Sequence, residues 1–273
     1  KQILESLGWL GFKYQGDPIK QSSRTKRYQE VIKYLLKTGS AYRCFATVGE
    51  LDKLRNEKNN YLYPRIWRDR SEEEIEAKLK KKENYVIRIK IPLNGNIHFK
   101  DLVYGDINTD CSELDDFIIA RSDGSPTYNF TAVVDDHDMR VSHVIRGEDH
   151  ISNTPKQILI YDTLKWVKPN FAHLPMILGP DGKRLSKRHG ALGAQTYRDL
   201  GYLPDTLINY LALLGWNPGT KDEVFNFQFL LDHFSVENIN KKASVFDNIK
   251  LDWLSGQHIM KSKPVDLLES IRL

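Results

Sequence analysis

Gly179-Pro180-Asp181-Gly182-Lys183-Arg184-Leu185-Ser186-Lys187-Arg188-His189 is the most informative run in this chain. Pro180-Asp181-Gly182 reads as a turn: Pro presets its own φ, Asp bonds local backbone, and Gly accepts positive φ. Four of the next six residues are cationic, namely Lys183, Arg184, Lys187 and Arg188. On a helix these charges would repel across neighbouring turns. On a turn they suit an anion or an exposed surface, and Ser186 adds a small hydroxyl suited to phosphate oxygens. A solvated charged loop is the plain reading. A P-loop is excluded by spacing, because that motif needs four residues between its glycines and Ser or Thr after the Lys.

Outward from this loop, the composition is that of an ordinary globular protein: 273 residues, 40% hydrophobic and 28% charged. No apolar run approaches membrane-spanning length, and the first residues are no secretory signal. Cys44 and Cys111 give no disulfide framework and suit a reducing compartment. The net charge of +4 hides an asymmetry. Residues 20–70 carry 13 Lys/Arg and five acids, so that segment is +8 and the remainder −4. Tyr61, Tyr63 and Trp67 are interleaved with these cations, a pattern that suits phosphate backbones and unpaired bases.

Apolar Tyr28, Val31, Ile32, Leu35 and Leu36 predict a helix over 22–39, with Ser22 or Ser23 as cap and Gly39 as stop. Ala41–Ala46 reads as a strand, Thr47 as the cap of a helix through Leu54, and Ser71-Glu-Glu-Glu74 as a capping box. Strands are expected at 85–91, 96–102 and 116–121. These elements read as a small α+β insertion. Thr127–Val134 is rich in strand formers. Asp135-Asp-His-Asp138 and Arg146-Gly-Glu-Asp-His150 follow, and this cluster invites a metallohydrolase reading. Ser152 or Asn153 with Pro155 instead signals a helix start, running through Leu164. A strand ending in Gly-Glu-Asp before a helix puts polar groups at the carboxyl edge of a sheet, where open α/β sheets bind nucleotides. Both ends of the chain read as cuts through a longer protein.

Arg184-Leu-Ser-Lys-Arg188 resembles the Lys-Met-Ser-Lys-Ser signature of class I aminoacyl-tRNA synthetases, and with His189-Gly190 the form found in glutamyl-tRNA synthetases. Asp123–Phe130, Val133–Asp136, His143–His150, Ser152–Pro155, His173–Met176, Gly201–Asp205 and Leu214–Trp216 resemble that family in order and spacing. The resemblance implies an α/β fold: an incomplete Rossmann-type core over 1–25 and 129–178, an acceptor-binding α+β insertion over 26–128, and a signature loop with helical stem-contact domain over 179–273. The family's His-x-Gly-His signature is missing, so the segment alone is expected not to aminoacylate.

The resemblance also implies ATP-dependent ligation of glutamate to tRNA-Glu through glutamyl-adenylate, with Mg²⁺ accompanying ATP. Lys187, Ser186 and Arg188, with Arg184 auxiliary, take the reacting phosphates. Asp149, Met176, Ile177 and Lys187 correspond to ATP-binding positions, and Tyr128, Arg146 and His150 to the glutamate site. A guanidinium is chemically suited to a side-chain carboxylate through paired donors; a structural ion pair with Glu148 or Asp149 is its alternative. Ala132 stands where some relatives carry a polar substrate contact. Many bacterial members have a cysteine cluster in the insertion; this chain has Cys44 without a nearby second Cys, so no zinc is expected. The partners implied are tRNA-Glu, with tRNA-Gln open, and the state a cytoplasmic monomer without membrane contact. A glutamyl-queuosine tRNA-Asp synthetase and a metal-dependent phosphohydrolase built on Asp135–His150 are the alternatives.

Overall fold

A computed structural model describes residues 2–14, 16–58, 61–186 and 193–271. Helix α1 (Gln2–Trp9) leads to α2 (Thr25–Lys37), whose Tyr28, Val31, Ile32 and Leu35 face the core at helical spacing. A short 3₁₀ turn at Gln21–Arg24 precedes α2. The hydroxyls of Ser23 and Thr25 bond the carbonyls of Lys20 and Ser22, so neither Ser22 nor Ser23 caps the helix as expected.

Strand β1 (Ala41–Cys44), helices α3 (Val48–Lys58) and α4 (Glu72–Lys80) and strand β2 (Val86–Ile89) come next. The expected capping box forms at Ser71 with Glu74, and the expected cap at Thr47 proves to be a box as well, with Glu50. Strands β3 (Asn96–Asp101) and β4 (Gly105–Asp110) make an antiparallel hairpin. Strand β5 (Ile118–Ala120) closes an antiparallel sheet of order β1-β2-β5.

Residues 127–134, rich in strand formers, are instead the start of α5 (Tyr128–Asp138). Phe130, Val133 and Val134 fall on one buried face at i, i+3 and i+4, and their burial overrides the strand preference of Val and Thr. Strand β6 (His143–Gly147), helix α6 (Thr154–Leu164) and strand β7 (Asn170–Leu174) form a β-α-β unit. Its strands pair in parallel from His143↔Asn170 to Gly147↔Leu174. Asn153 is the cap position of α6 and makes no side-chain cap bond, while Pro155 sits in the first turn.

The second sheet has the order β4-β3-β7-β6. It is mixed rather than wholly parallel, because the β3–β4 hairpin joins it through a parallel contact of Asp101 with Phe171. A hydrophobic cluster drawn from α2, α5, α6 and strands of both sheets packs between them. Strand β6 forms one rim of the sheet, and its Ile145 is 50% exposed.

Strands β8 (Ile177–Leu178) and β9 (Ser244–Val245) pair in parallel. Helices α7 (Ala194–Asp199), α8 (Pro204–Leu213), α9 (Phe227–His233), α10 (Asn248–Lys261) and α11 (Pro264–Ile271) complete the chain. Tyr197, Leu207, Tyr210, Leu214, Phe246, Leu251 and Leu254 form a second core. Trp9 and Leu10, at the apolar end of α1, pack on it. No helix among the described residues is long and apolar enough to cross a membrane.

Candidate functional site

The end of β6 delivers Arg146 beside the first turn of α5 and the start of α6. Strand alternation puts Val144 and Arg146 on one face, and the chain beyond Gly147 turns back over them. The guanidinium Nη2 donates to Thr154 Oγ1 at 2.8 Å and to Gln157 Oε1 at 2.9 Å. Nε donates to His173 Nε2 at 3.2 Å, and Nη1 reaches the Tyr128 hydroxyl at 3.4 Å. Neither Glu148 nor Asp149 pairs with Arg146, so its charge is not spent on the structural ion pair considered above. Three of its five N–H groups are nevertheless committed. The guanidinium cannot offer a fork of two free nitrogens. It offers Nη1, with the Tyr128 hydroxyl next to it.

Tyr128 is half exposed and its ring lies 5.6 Å from that of His150. His150 Nδ1 contacts Asn153 Nδ2 at 3.1 Å. The three residues expected at a glutamate site are therefore together. Ala132 lies one turn after Tyr128 on α5. Another turn on, the Asp136 carboxyl is pushed above its ordinary range, chiefly by burial and against the nearby Arg146 charge.

Several contributors were not singled out in the sequence. His173 and Asp101 are both buried, and their Nδ1 and Oδ2 atoms lie 2.6 Å apart. Burial, with the Arg146 charge adding to it, holds His173 below the usual histidine pKa even though Asp101 opposes the shift. Glu148 accepts the Met176 backbone N–H at 2.9 Å and the Tyr104 hydroxyl. Burial and that carboxylate push Tyr104 up to about 12. Glu148 thus fixes the backbone at Met176 and Ile177, the positions expected beside a nucleotide base. These links span up to 72 residues of sequence, and no local pattern announces them.

The loop after β8 folds as a hairpin. Gly179 N–H donates to Lys183 O at 2.7 Å, Leu185 N–H to Ile177 O at 2.9 Å, and Gly182 takes φ +72°. The turn read from Pro180-Asp181-Gly182 is this one. Arg184 Nη1 meets Asp149 Oδ2 at 3.0 Å, which ties the loop to the end of β6. A methyl at Gly147 would lie 2.7 Å from Asp149 Oδ1, so the carboxylate would have to turn aside to admit it. Ser186 ends the described part of the loop; Lys187 and Arg188 lie outside the described residues.

The acids of the 135–150 segment diverge. Asp135 and Asp138 pair with Arg24 and Arg27, Asp149 with Arg184, and His137 stacks on Trp166 at 3.8 Å. Among the described residues no three metal-ligating side chains converge, so a metallohydrolase is not favoured. In the basic 20–70 segment, Arg24, Arg27, Arg65, Arg68 and Arg70 are engaged with carboxylates. Tyr63 is buried: Arg88 lies 3.7 Å over its ring, and its hydroxyl contacts Cys44 Sγ at 3.2 Å. It is no stacking platform, whereas Tyr61 is 84% exposed.

Residues 1–253 match the family model "tRNA synthetases class I (E and Q), catalytic domain". The chain is 45% identical over 270 residues to a glutamate–tRNA ligase 1 of Caldanaerobacter subterraneus, covering 97% of this chain and 56% of that protein. It is 46% identical over 274 residues to a glutamate–tRNA ligase of Nitrosospira multiformis, covering 99% and 58%. The crystal structure of a glutamate tRNA ligase from Elizabethkingia meningosepticum, in complex with its amino acid, superposes with a TM-score of 0.84 at 33% identity, over 95% of this chain and 59% of that one. The glutamate-tRNA synthetase structure from Elizabethkingia anophelis gives 0.86 at 32% identity, over 99% and 62%. The chain thus spans a little over half the length of these curated relatives, and its α/β fold is theirs.

Proposed function

Because the chain belongs to the E and Q family of class I tRNA synthetases and lies in their catalytic domain, we propose that it serves ATP-dependent ligation of glutamate to tRNA-Glu. The observation that carries this reading is Arg146. It is a cation at the carboxyl end of a parallel strand that makes no salt bridge among the described residues, although the Asp136 carboxyl lies near enough to feel its charge, and it points Nη1 toward the half-exposed Tyr128. Such a group suits an acidic side chain.

In the first step a glutamate α-carboxylate oxygen attacks the α-phosphorus of ATP and pyrophosphate leaves. In the second, a ribose hydroxyl at the tRNA 3′ end attacks the acyl carbon and AMP leaves. Arg146, Tyr128 and His150 hold the substrate side chain. Met176 and Ile177 lie along the adenine, and Asp149 lines the ATP pocket. Ser186, Lys187 and Arg188, with Arg184, stabilise charge on the phosphates, which fixed cations do better than water because they need no reorganisation. Lys187 and Arg188 enter this assignment from the sequence alone. Mg²⁺ would enter with ATP and would help neutralise its phosphate charge; dedicated all-protein cages for it are uncommon. The exposed part of 20–70 faces the tRNA acceptor end, and α7 to α11 its stem. The work is cytoplasmic and monomeric, without zinc, and residues 1–25 with 129–178, 26–128 and 179–273 are its functional divisions.

The experiment is ATP–pyrophosphate exchange on the protein that carries this chain, with glutamate or glutamine and with each tRNA. Exchange that depends on glutamate supports the reading; exchange with glutamine alone overturns it. Lys187→Ala should lower the rate by roughly two orders of magnitude, the scale of losing one preorganised charge-stabilising group. A near-normal rate removes Lys187 from the mechanism.

A further inference from the structure

Arg146 does not set its own direction. Thr154 and Gln157, both on α6, take its Nη2 hydrogens, and His173 on β7 takes the Nε hydrogen. The imidazole differs from the other two acceptors in having two neutral tautomers. Arginine only donates, so His173 Nε2 must be bare to receive Nε–H. The ring proton then resides on Nδ1, where it meets Asp101 Oδ2 at 2.6 Å. Asp101 is itself locked. Its Oδ1 accepts the backbone N–H groups of Val103 and Tyr104, each at 2.9 Å, and of His173 at 3.3 Å. Those donors come from the turn between β3 and β4 and from β7, so the carboxylate cannot rotate away without losing them.

We infer that Asp101 and His173 are positioning residues for the substrate carboxylate: Asp101 fixes the Nδ1–H tautomer of His173, and that tautomer turns the Nη1 edge of Arg146 toward Tyr128 and the open site. The functional half of this inference rests on the reading of Arg146 given above. The geometric half stands on the buried chain itself. The low pKa of His173 agrees with it, since a neutral ring is the form able to accept.

The test is Asp101→Asn in the full chain. The Asn oxygen keeps the three backbone bonds, while its NH₂ faces the ring and requires an acceptor at Nδ1. The ring proton moves to Nε2, where it faces Arg146 Nε–H and turns to Thr154 Oγ1, 3.1 Å away, so Arg146 Nε loses its acceptor, the same tautomer error that follows when a catalytic-triad Asp becomes Asn. Long-range ¹⁵N–¹H correlation on histidine-labelled protein reads the tautomer, and the Arg146 Nε–H resonance reads the guanidinium. The expected result is Nδ1–H in the unmodified chain. In the variant, Nε2–H, a displaced Arg146 resonance and about tenfold weaker glutamate binding, the scale of one charge-assisted hydrogen bond, accompany unchanged ATP binding.

A ring protonated on Nε2 in the unmodified chain overturns the inference. So does a variant whose tautomer changes while the Arg146 resonance and glutamate affinity stay put. If the unmodified chain binds no glutamate, the functional reading of this chain fails, and the tautomer and Arg146 signals still decide the positioning. Should Asp101→Asn fail to fold, His173→Gln against His173→Leu makes the same comparison: the Gln amide oxygen accepts from Arg146 and should hold its resonance, and Leu should not.

Discussion

Replacing Tyr128 with Phe removes one oxygen from the mouth of the site and little else. Tyr128 opens α5 and is 49% exposed, so packing is nearly untouched. The hydroxyl's protein contact is the long 3.4 Å approach of Arg146 Nη1. With Nε and Nη2 committed, Arg146 brings only Nη1 to a carboxylate, and the Tyr128 O–H supplies the second donor. A hydrogen bond to a charged group contributes about 1.5–3 kcal/mol. Half exposure favours the low end, about 1.5 kcal/mol, which is about tenfold in affinity. Calorimetric titration of glutamate, and separately of ATP, into the chain measures it. Glutamate should bind about tenfold more weakly, with ATP affinity and melting temperature unchanged. Undiminished glutamate binding refutes the two-donor count, and parallel loss of both ligands makes Tyr128 a structural residue.

Asp116 is fully buried and accepts from the Tyr42 hydroxyl at 2.8 Å, Arg68 at 2.6 Å and the Ile91 N–H at 3.2 Å. Asp116→Ala strands these donors and should cost about 3–5 kcal/mol in urea unfolding; a loss under about 1 kcal/mol would mean the donors find water. The Asp138 carboxyl is held below its usual pKa first by the Arg27 hydrogen bond and then, against the cost of burial, by Arg24. Its contribution is therefore complete above the unfolded value near 3.9 and disappears as pH falls through the lower folded value. Asp138→Asn should cost about 1 kcal/mol at neutral pH, with the gap to the unmodified chain closing at acid pH; a gap that does not change with pH contradicts the assignment. The Arg184–Asp149 pair, 69% and 33% exposed, should show a coupling of only about 0.5 kcal/mol in a double-mutant cycle of stability. A coupling of several kcal/mol would make it a structural clamp rather than a tether for the loop.

Much of this fold is legible in the chain because its signals are local. The cap at Thr47, the capping box at Ser71 and the Pro180–Gly182 turn each need only a few consecutive residues. Segment 127–134 misleads because Phe, Val and Thr are ambiguous until the burial of one helical face is known. Strand β4, Gly105-Asp-Ile-Asn-Thr-Asp110, is not among the expected strands because its residues are mostly polar, and only pairing with β3 makes it a strand. At the site, Arg146, Tyr128 and His150 stand close to one another in sequence and were found. Asp101 and His173 were not, because a buried carboxylate and a buried imidazole 72 residues apart have no shared periodicity. The cation count of 20–70 overstated a free surface, because sequence cannot show that five of those arginines already have carboxylate partners.

The strand bearing Arg146 is also the bare rim of its sheet. Backbone amides and carbonyls along that rim lack a neighbour among the described strands, and a half-exposed isoleucine sits in their midst. Such a margin is adhesive. For anyone concentrating or refolding this polypeptide by itself, 143–147 offers two molecules an edge to zip together along, and a lysine at Ile145 would blunt it.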